Sequence, residues 1–197
     1  MGKGLLCVLM MTLLLTGCGG MGKGNEADEA AVRLRGEYLK CVECSGTVQL
    51  TADYGQRIYR YELEFTQGEE ETVLTLIQPE NVAGITARLS KTSGAVLEYD
   101  DVVLETGALN EDGLTPVGAV PALLTALREG YLDTCVLEDW ETGRVLRMLI
   151  RDPERQPGEG LELLVWLEES SGRLLRAEFS QDGACVIQCE FSVWNMI

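Results

Sequence analysis

Seven cysteines are the residues of this 197-residue chain whose chemistry stands out, because the sequence contains no histidine. Cys41 and Cys44 form one closely spaced pair and Cys185 and Cys189 form another, a pattern that suggests a four-thiolate zinc site. Cys185 and Cys189, however, belong to a segment that the sequence predicts to be a strand, where residues four apart are separated by about 13 Å. Two thiolates that share one zinc ion must both lie about 2.3 Å from it. The sequence therefore predicts no metal site and no cofactor. It leaves two alternatives for Cys41 and Cys44: buried thiols, or a disulfide or redox pair.

Other chemistry that an enzyme would use is missing from the sequence. Without histidine there is no Ser-His or Cys-His arrangement, and the commonest general base is absent. Walker-type and Rossmann glycine loops and calcium-binding loops are also absent, and the carboxylates at 69–71 predict a solvated turn. The sequence thus predicts a protein that is not an enzyme. The formal net charge of −16 repels nucleic-acid phosphates, which excludes nucleic acid as a partner.

The first residues predict export from the cytoplasm. Lys3 precedes an apolar run from Leu5 to Leu15, which is shorter than the ~20 residues that a membrane-spanning helix needs and is typical of a secretory signal peptide. The run ends in Leu15-Thr16-Gly17-Cys18, which resembles the lipobox of bacterial lipoproteins. In that family the cysteine thiol receives a diacylglyceryl group and the chain is cut before it. The resemblance implies a signal peptide over 1–17, lipidation of Cys18, and an extracytoplasmic protein anchored to the outer face of the cell membrane.

The elements that follow predict a single domain behind a short linker. Residues 18–26 are rich in glycine and predict a flexible tether, so the domain is expected over 27–197. Ala31, Leu34 and Tyr38 recur at helical spacing and predict a helix over 27–40.

The rest of the domain is dominated by alternation of apolar and polar residues. In the clearest segment, Tyr59, Tyr61, Leu63 and Phe65 share one face, which is typical of a strand with one buried side. About eleven such segments occur, and one helix, ending at Gly130, interrupts them. The predicted fold class is mainly β (α+β), with an antiparallel sheet that curls to bury one face.

The order of signal with lipobox, helix, meander, central helix and second meander resembles the LolA/LolB-like superfamily. The stretch LTLIQPENVAGITARLS, residues 74–90, looks like that of Gram-positive sporulation or germination lipoproteins of this superfamily, of which GerS is an example. The resemblance implies a curved, unclosed antiparallel half-barrel with the N-terminal helix and the central helix packed on its concave face.

Two functions are compatible with such a domain. In the first, the membrane-anchored protein binds a hydrophobic ligand, either a lipid or a lipoprotein acyl chain, or assists the sorting of envelope lipoproteins. The candidate hydrophobic cavity then consists of inner-face residues, which are otherwise simply core: Tyr59, Tyr61, Leu63, Phe65, Ile85 and Leu89. In the second, the domain is a protein-interaction scaffold in sporulation or germination that holds or activates a cell-wall enzyme such as an amidase. The expected partners are the membrane, reached through the diacylglyceryl group on Cys18, a lipid or acyl-chain ligand, and a protein.

Overall fold

Eleven strands form the body of the domain. A computed structural model describes residues 22–90, 94–107 and 112–197, so the predicted signal peptide and Cys18 lie outside the described residues. Every predicted strand is confirmed, with ends that differ by a few residues. The strands are β1 Cys44–Asp53, β2 Ile58–Gln67, β3 Glu71–Gln78, β4 Thr86–Ser90, β5 Gly94–Tyr99, β6 Val102–Gly107, β7 Leu132–Trp140, β8 Gly143–Arg151, β9 Leu161–Glu168, β10 Leu174–Gln181 and β11 Ala184–Met196.

The strands form one antiparallel sheet of two meanders. Its order is β6-β5-β4-β3-β2-β1-β11-β10-β9-β8-β7, so strands that are consecutive in sequence are neighbours in the sheet, except β6 and β7, which lie at its opposite edges. The pairing of β1 with β11 joins the two meanders. Within the described ranges, β6 and β7 each pair with a single strand, so the sheet is not closed. This topology confirms the predicted mainly β, unclosed antiparallel half-barrel.

Two α-helices of the described residues accompany the sheet: α1 from Gly22 to Lys40 and α2 from Ala119 to Glu129, with a short 3₁₀ turn at Glu80–Val82. The helix α1 begins before the predicted position, so residues 22–26, which the sequence assigned to the tether, are helical. An ion pair of 2.8 Å between Glu26 and Arg144 of β8 ties this first part of α1 to the sheet. No helix within the described part of the chain is long and apolar enough to span a bilayer.

A continuous hydrophobic core lies between the helices and the sheet. Helix α2 contributes Val120, Leu123, Leu124 and Leu127, which recur at three- and four-residue spacing and are fully buried. Helix α1 contributes a similar stripe of buried residues, and alternate residues of the strands complete the cluster. Burial of these side chains is what fixes α2 against the sheet, because each contributes about 1.5–3 kcal/mol when removed from water.

Arg35 on α1 and Arg128 on α2 each donate hydrogen bonds to the end of the other helix, and we call these two residues the arginine clamp. The guanidinium of Arg35 on α1 donates to carbonyl oxygens at the C-terminal end of α2: Leu127 at 2.8 Å, Arg128 at 3.3 Å and Gly130 at 2.6 Å. The guanidinium of Arg128 on α2 donates to carbonyl oxygens at the end of α1: Tyr38 at 3.1 Å and Cys41 at 3.4 Å. The last carbonyls of a helix have no partner within the helix. Each helix therefore supplies the cap of the other.

Candidate functional site

A cavity of about 980 Å³ lies between α2 and the sheet. Its walls come from α2, from the ends of β2 to β5 in the first meander, and from β8 to β10 in the second. Ligand cavities in proteins commonly measure about 300–1,000 Å³. The space is therefore large enough for a small amphiphilic molecule.

Much of the cavity wall is apolar. The apolar lining residues come from both meanders and from α2: Leu89, Ala95, Pro121, Ala122, Ala126, Ile150, Leu161, Leu163 and Phe179. Small side chains on α2 keep the helix from filling the space, since Ala122 and Ala126 stand where a leucine would project into it. Such a wall can bind an aliphatic chain by removing it from water.

The polar part of the wall contains a nearly buried amide and a nearly buried guanidinium. Gln67, at the end of β2, is only 5% exposed, and no hydrogen bond reaches its Oε1 atom from the described residues. Arg151, at the end of β8, pairs with Asp133 at 2.6 Å through Nη2. Its Nη1 donates to backbone carbonyls, while its Nε has no partner among the described residues. Both residues line the cavity, but these two atoms themselves have almost no accessible surface.

The charges around the cavity are predominantly acidic. Asp112, Glu129 and Asp152 line it, against Arg151 and Arg155. Both arginines are already paired: Arg151 with Asp133, and Arg155 with Asp152 at 3.7 Å. Consequently the site has no surplus positive charge to attract an anion, and the net charge of the chain opposes one as well.

The six predicted cavity residues lie in three kinds of environment: the cavity wall, the core and the partly exposed surface. Leu89 lines the observed cavity. Leu63 and Phe65 are buried in the core, and Tyr61 packs against it. Ile85 is half-buried, and Tyr59 is 37% exposed and stacks on Tyr61 with 6.4 Å between ring centroids. Of these six, only Leu89 belongs to the wall.

Two polar wall residues were missed by the sequence reasoning, which looked for apolar side chains. Gln67 and Thr72 face each other across β2 and β3 and are both nearly buried. A signal for Gln67 was available, because it continues the alternation of Tyr61, Leu63 and Phe65 onto the inner face.

The cysteines of the described residues are all free thiols: Cys41, Cys44, Cys135, Cys185 and Cys189. Cys41 follows α1 and Cys44 begins β1; burial, and secondarily the nearby Cys41, raise the pKa of the Cys44 thiol to about 12. Burial also raises the pKa of the Cys189 thiol to about 12. No cluster of three or more metal-ligating side chains occurs in the part of the chain that the structure describes. A disulfide between Cys41 and Cys44 stays a prediction.

The raised thiol pKa values predict a loss of stability in alkaline solution. Above pH 9 the thiols ionise in the unfolded chain while Cys44 and Cys189 stay protonated in the folded one. The unfolded state then binds fewer protons, so the free energy of unfolding falls as the pH rises from 9 towards 12. Each buried thiol is expected to contribute about 1.4 kcal/mol per pH unit in this window.

Urea unfolding at about pH 8 and about pH 10, with a reductant present, measures this effect. The variant Cys189→Ala is expected to lose less stability than the unaltered protein between these two pH values. An equal loss in both proteins would contradict the assignment of Cys189 as a thiol that stays protonated in the fold.

Comparison with known proteins bears on the fold. No family model matches the sequence, and no curated protein is significantly similar to it. Among solved structures, an uncharacterized conserved protein from Thermus thermophilus aligns with a TM-score of 0.51 and 9% identity, covering 87% of this chain and 88% of that one. A LolA superfamily protein from Nitrosomonas europaea aligns with a TM-score of 0.44 and 12% identity, covering 89% of this chain and 94% of that one. Mycobacterium tuberculosis lipoprotein LppX aligns with a TM-score of 0.43 and 17% identity, covering 84% of this chain and 93% of that one. At these identities the Thermus protein shows a common fold, and the resemblance to GerS-like lipoproteins stays a prediction.

Proposed function

We propose that this protein is a membrane-anchored, non-enzymatic lipoprotein whose domain binds a hydrophobic ligand in the cavity beside α2. The observation that carries the proposal is the cavity itself, about 980 Å³ with a largely apolar wall. The ligand is a lipid or the acyl chain of a lipoprotein, and in the second case the protein assists the sorting of envelope lipoproteins. The lipobox at Leu15–Cys18 supports an extracytoplasmic location at the outer face of the cell membrane.

Anchorage by Cys18 has a direct test. An acyl group on this residue would retain the protein in the membrane fraction, since each buried methylene contributes about 0.8 kcal/mol. Mass spectrometry of the unaltered protein, extracted from the membrane with detergent, is expected to show the added mass of a diacylglyceryl group on Cys18, and the variant Cys18→Ser is expected to lack it. An unaltered protein without this added mass would contradict the anchor.

Ligand binding is tested on the full chain carrying Cys18→Ser, so that no attached acyl group interferes. Native mass spectrometry before and after organic extraction is expected to show a bound mass that extraction removes. A bare polypeptide that takes up no lipid when lipid is offered would overturn the ligand-binding proposal.

The cavity wall on α2 offers a variant that should block binding without disturbing the core. Thr125 lines the cavity and its side chain is exposed, so Thr125→Trp places a large indole in the open space. We expect binding of the extractable lipid to weaken at least about tenfold, which corresponds to about 1.4 kcal/mol. The matched control is Thr66→Trp, an exposed position on β2 outside the cavity wall. Equal weakening by both variants would argue against this cavity as the binding site.

A protein scaffold is the second candidate function, and one observation favours it. Strand β6 lies at an edge of the sheet, and its consecutive residues Val102, Val103 and Leu104 are all exposed. An exposed apolar edge strand can pair with an extended segment of another protein. In this alternative the anchored domain holds or activates a cell-wall enzyme, such as an amidase, in sporulation or germination.

A further inference from the structure

One wall of the cavity is a loop that the hydrophobic core does not hold. Residues 152–160 connect β8 to β9, and Asp152, Arg155 and Gly160 of this loop line the cavity. Residues 152–159 are all exposed, and none of the side chains of this described loop belongs to the core cluster. Helix α2, by contrast, is fixed by leucines that are fully buried in that cluster. The loop is therefore a wall that can move while the core stays intact.

Arg151 holds the start of the loop. Its Nη1 atom donates to the backbone carbonyl oxygen of Asp152 at 3.2 Å and to that of Arg155. Its Nη2 atom pairs with Asp133 of the edge strand β7 at 2.6 Å, and the side chain of Arg151 is only 12% exposed. The ion pair thus fixes the guanidinium, and the guanidinium in turn fixes the loop. Arg151 is a positioning residue, because it acts on the cavity through the carbonyl groups of the loop.

Asp182, in the turn between β10 and β11, holds the end of the loop. Its Oδ1 atom accepts from the backbone N–H of Gly160 at 2.8 Å, and its own N–H donates to the carbonyl oxygen of Gly160 at 2.9 Å. Water can replace polar partners of this kind when the loop detaches, so the net free energy of each hydrogen bond is much smaller than its gross strength. Movement of the loop therefore costs less than movement of α2, whose leucines would be exposed to water.

We infer that the β8–β9 loop is the gate through which a ligand enters and leaves the cavity, and that Arg151 and Asp182 keep this gate closed. The inference rests on the proposed function, because it describes access to the same cavity. A gate that opens alike in the empty and the occupied protein changes the rates of association and dissociation by the same factor and leaves Kd unchanged. The two rates therefore distinguish a gate from a wall that merely contacts the ligand.

The first variant releases the start of the loop. Asp133→Asn combined with Arg151→Met removes the guanidinium without leaving the mostly buried carboxylate of Asp133 unpaired. The matched control is Glu138→Gln combined with Arg147→Met. Arg147 and Glu138 form an ion pair of the same length, 2.6 Å, across the same two strands, and among the described residues Arg147 donates to Glu138 and not to the loop.

The second variant releases the end of the loop. Asp182→Gly removes the acceptor for the N–H of Gly160, and glycine tolerates the positive φ of this position, 51°. Asp182 is exposed in a turn, so this variant tests the gate even if the first variant is destabilised. Circular dichroism and thermal unfolding establish that each variant is folded.

Limited proteolysis with trypsin measures the release of the loop. The carbonyl oxygen at the bond after Arg155 is one that Arg151 holds, so a protease reaches this bond only when the loop detaches. Cleavage there is expected to become about tenfold faster in both loop variants. It is expected to keep its original rate in the Arg147 control.

Stopped-flow fluorescence measures ligand exchange on the full chain carrying Cys18→Ser. The probe is N-phenyl-1-naphthylamine, an uncharged apolar dye, and Thr125→Trp, which places an indole in the cavity, should weaken its binding. In both loop variants we expect association and dissociation each to accelerate about tenfold, while Kd changes by less than about threefold. The Arg147 control should exchange the dye at the rates of the unaltered protein.

The outcomes separate this inference from the proposed function. If neither loop variant is cleaved faster, Arg151 and Asp182 do not hold the loop and the inference is wrong. If cleavage accelerates but dye exchange does not, or if dissociation alone accelerates, the loop is not the gate, while ligand binding stands. If the unaltered protein binds neither the dye nor an extractable lipid, the proposed function fails together with the inference.

Discussion

Replacement of Gly46 by alanine is expected to lower the free energy of unfolding by about 3 kcal/mol or more. Gly46 lies on β1, where β1 pairs with β11, and a Cβ added there would stand 2.3 Å from the backbone oxygen of Val193 and 3.1 Å from the ring of Phe65. A backbone oxygen in a sheet cannot rotate away, so the strands themselves must separate. Overpacking of a well-packed site typically costs about 1–3 kcal/mol, and here it disrupts the single pairing that joins the two meanders.

Urea or thermal unfolding followed by tryptophan fluorescence measures this effect, because Gly46 pairs directly with Trp194. For a domain of this size the expected fall in Tm is roughly 6–12 °C. The matched control is Gly36→Ala in the interior of α1, where an added Cβ meets no atom within 4 Å. That variant should gain about 0.5–1 kcal/mol, because alanine has the better helix propensity. A Gly46→Ala protein as stable as Gly36→Ala would show that the β1–β11 junction is looser than the structure describes.

The sheet could be predicted from the sequence because alternation is a local property. In β2, Leu63 and Phe65 are buried and Glu64 between them is exposed, as the period of two requires. The hairpin turns between such segments make neighbours of consecutive strands, so the meander order follows as well. The alternation does not predict the pairing of β1 with β11, because that pairing joins residues as distant in sequence as Cys44 and Met196.

The cavity could be predicted only in part, because the pattern identifies a face and not what covers it. Leu63 and Leu89 both occupy the inner face in the sequence pattern, yet Leu63 is covered by the core and Leu89 lines open space. The difference depends on where α2 lies across the sheet and on the small side chains it carries there. Helix position follows from long-range packing that no local period encodes. Polar wall residues such as Gln67 also contradict the expectation that an inner face is apolar, and sites of function are where such contradictions are expected.

The start of α1 illustrates a second limit of local patterns. The glycine-rich composition of 18–26 predicted a tether, whereas the helix begins at Gly22. Glu26 pairs with Arg144, and Ala27 is buried against the core. Contacts made by the tertiary fold thus support a turn of helix whose propensity alone is weak.

The arginine clamp was not visible in the sequence, because Arg35 and its acceptors at the end of α2 are more than ninety residues apart. We expect Arg35→Ala to lower the free energy of unfolding by about 2–4 kcal/mol. Hydrogen bonds to a charged group contribute about 1.5–3 kcal/mol, and truncation leaves the carbonyls of Leu127 and Gly130 without their cap. Burial lowers the pKa of Arg35, which agrees with a guanidinium held in a partly desolvated position between the helices.

Two further variants separate capping from simple loss of charge. Arg35→Lys keeps the charge but not the planar fork that reaches several carbonyls, so an intermediate loss is expected. Arg33→Ala removes an exposed arginine of the same helix, whose ion pairs with Glu37 at 3.7 Å and Glu169 at 3.3 Å lie at the surface. Its loss should stay within about 1 kcal/mol. Equal destabilisation by Arg33→Ala and Arg35→Ala would contradict the clamp.

The clamp also connects helix stability to the cavity, because α2 supplies one wall of it. With Arg35→Ala, amide hydrogen exchange in the last turn of α2 is expected to accelerate more than exchange in the β1–β11 pair. With Arg128→Ala on α2, amide hydrogen exchange is expected to accelerate in the last turn of α1, because Arg128 donates to the carbonyl oxygen of Tyr38 there. Because each arginine caps the helix that carries the other, the two losses should not add in the double variant. Additive losses, with exchange unchanged at the helix ends, would mean that the helices are held by the leucine core alone and that the two arginines act independently.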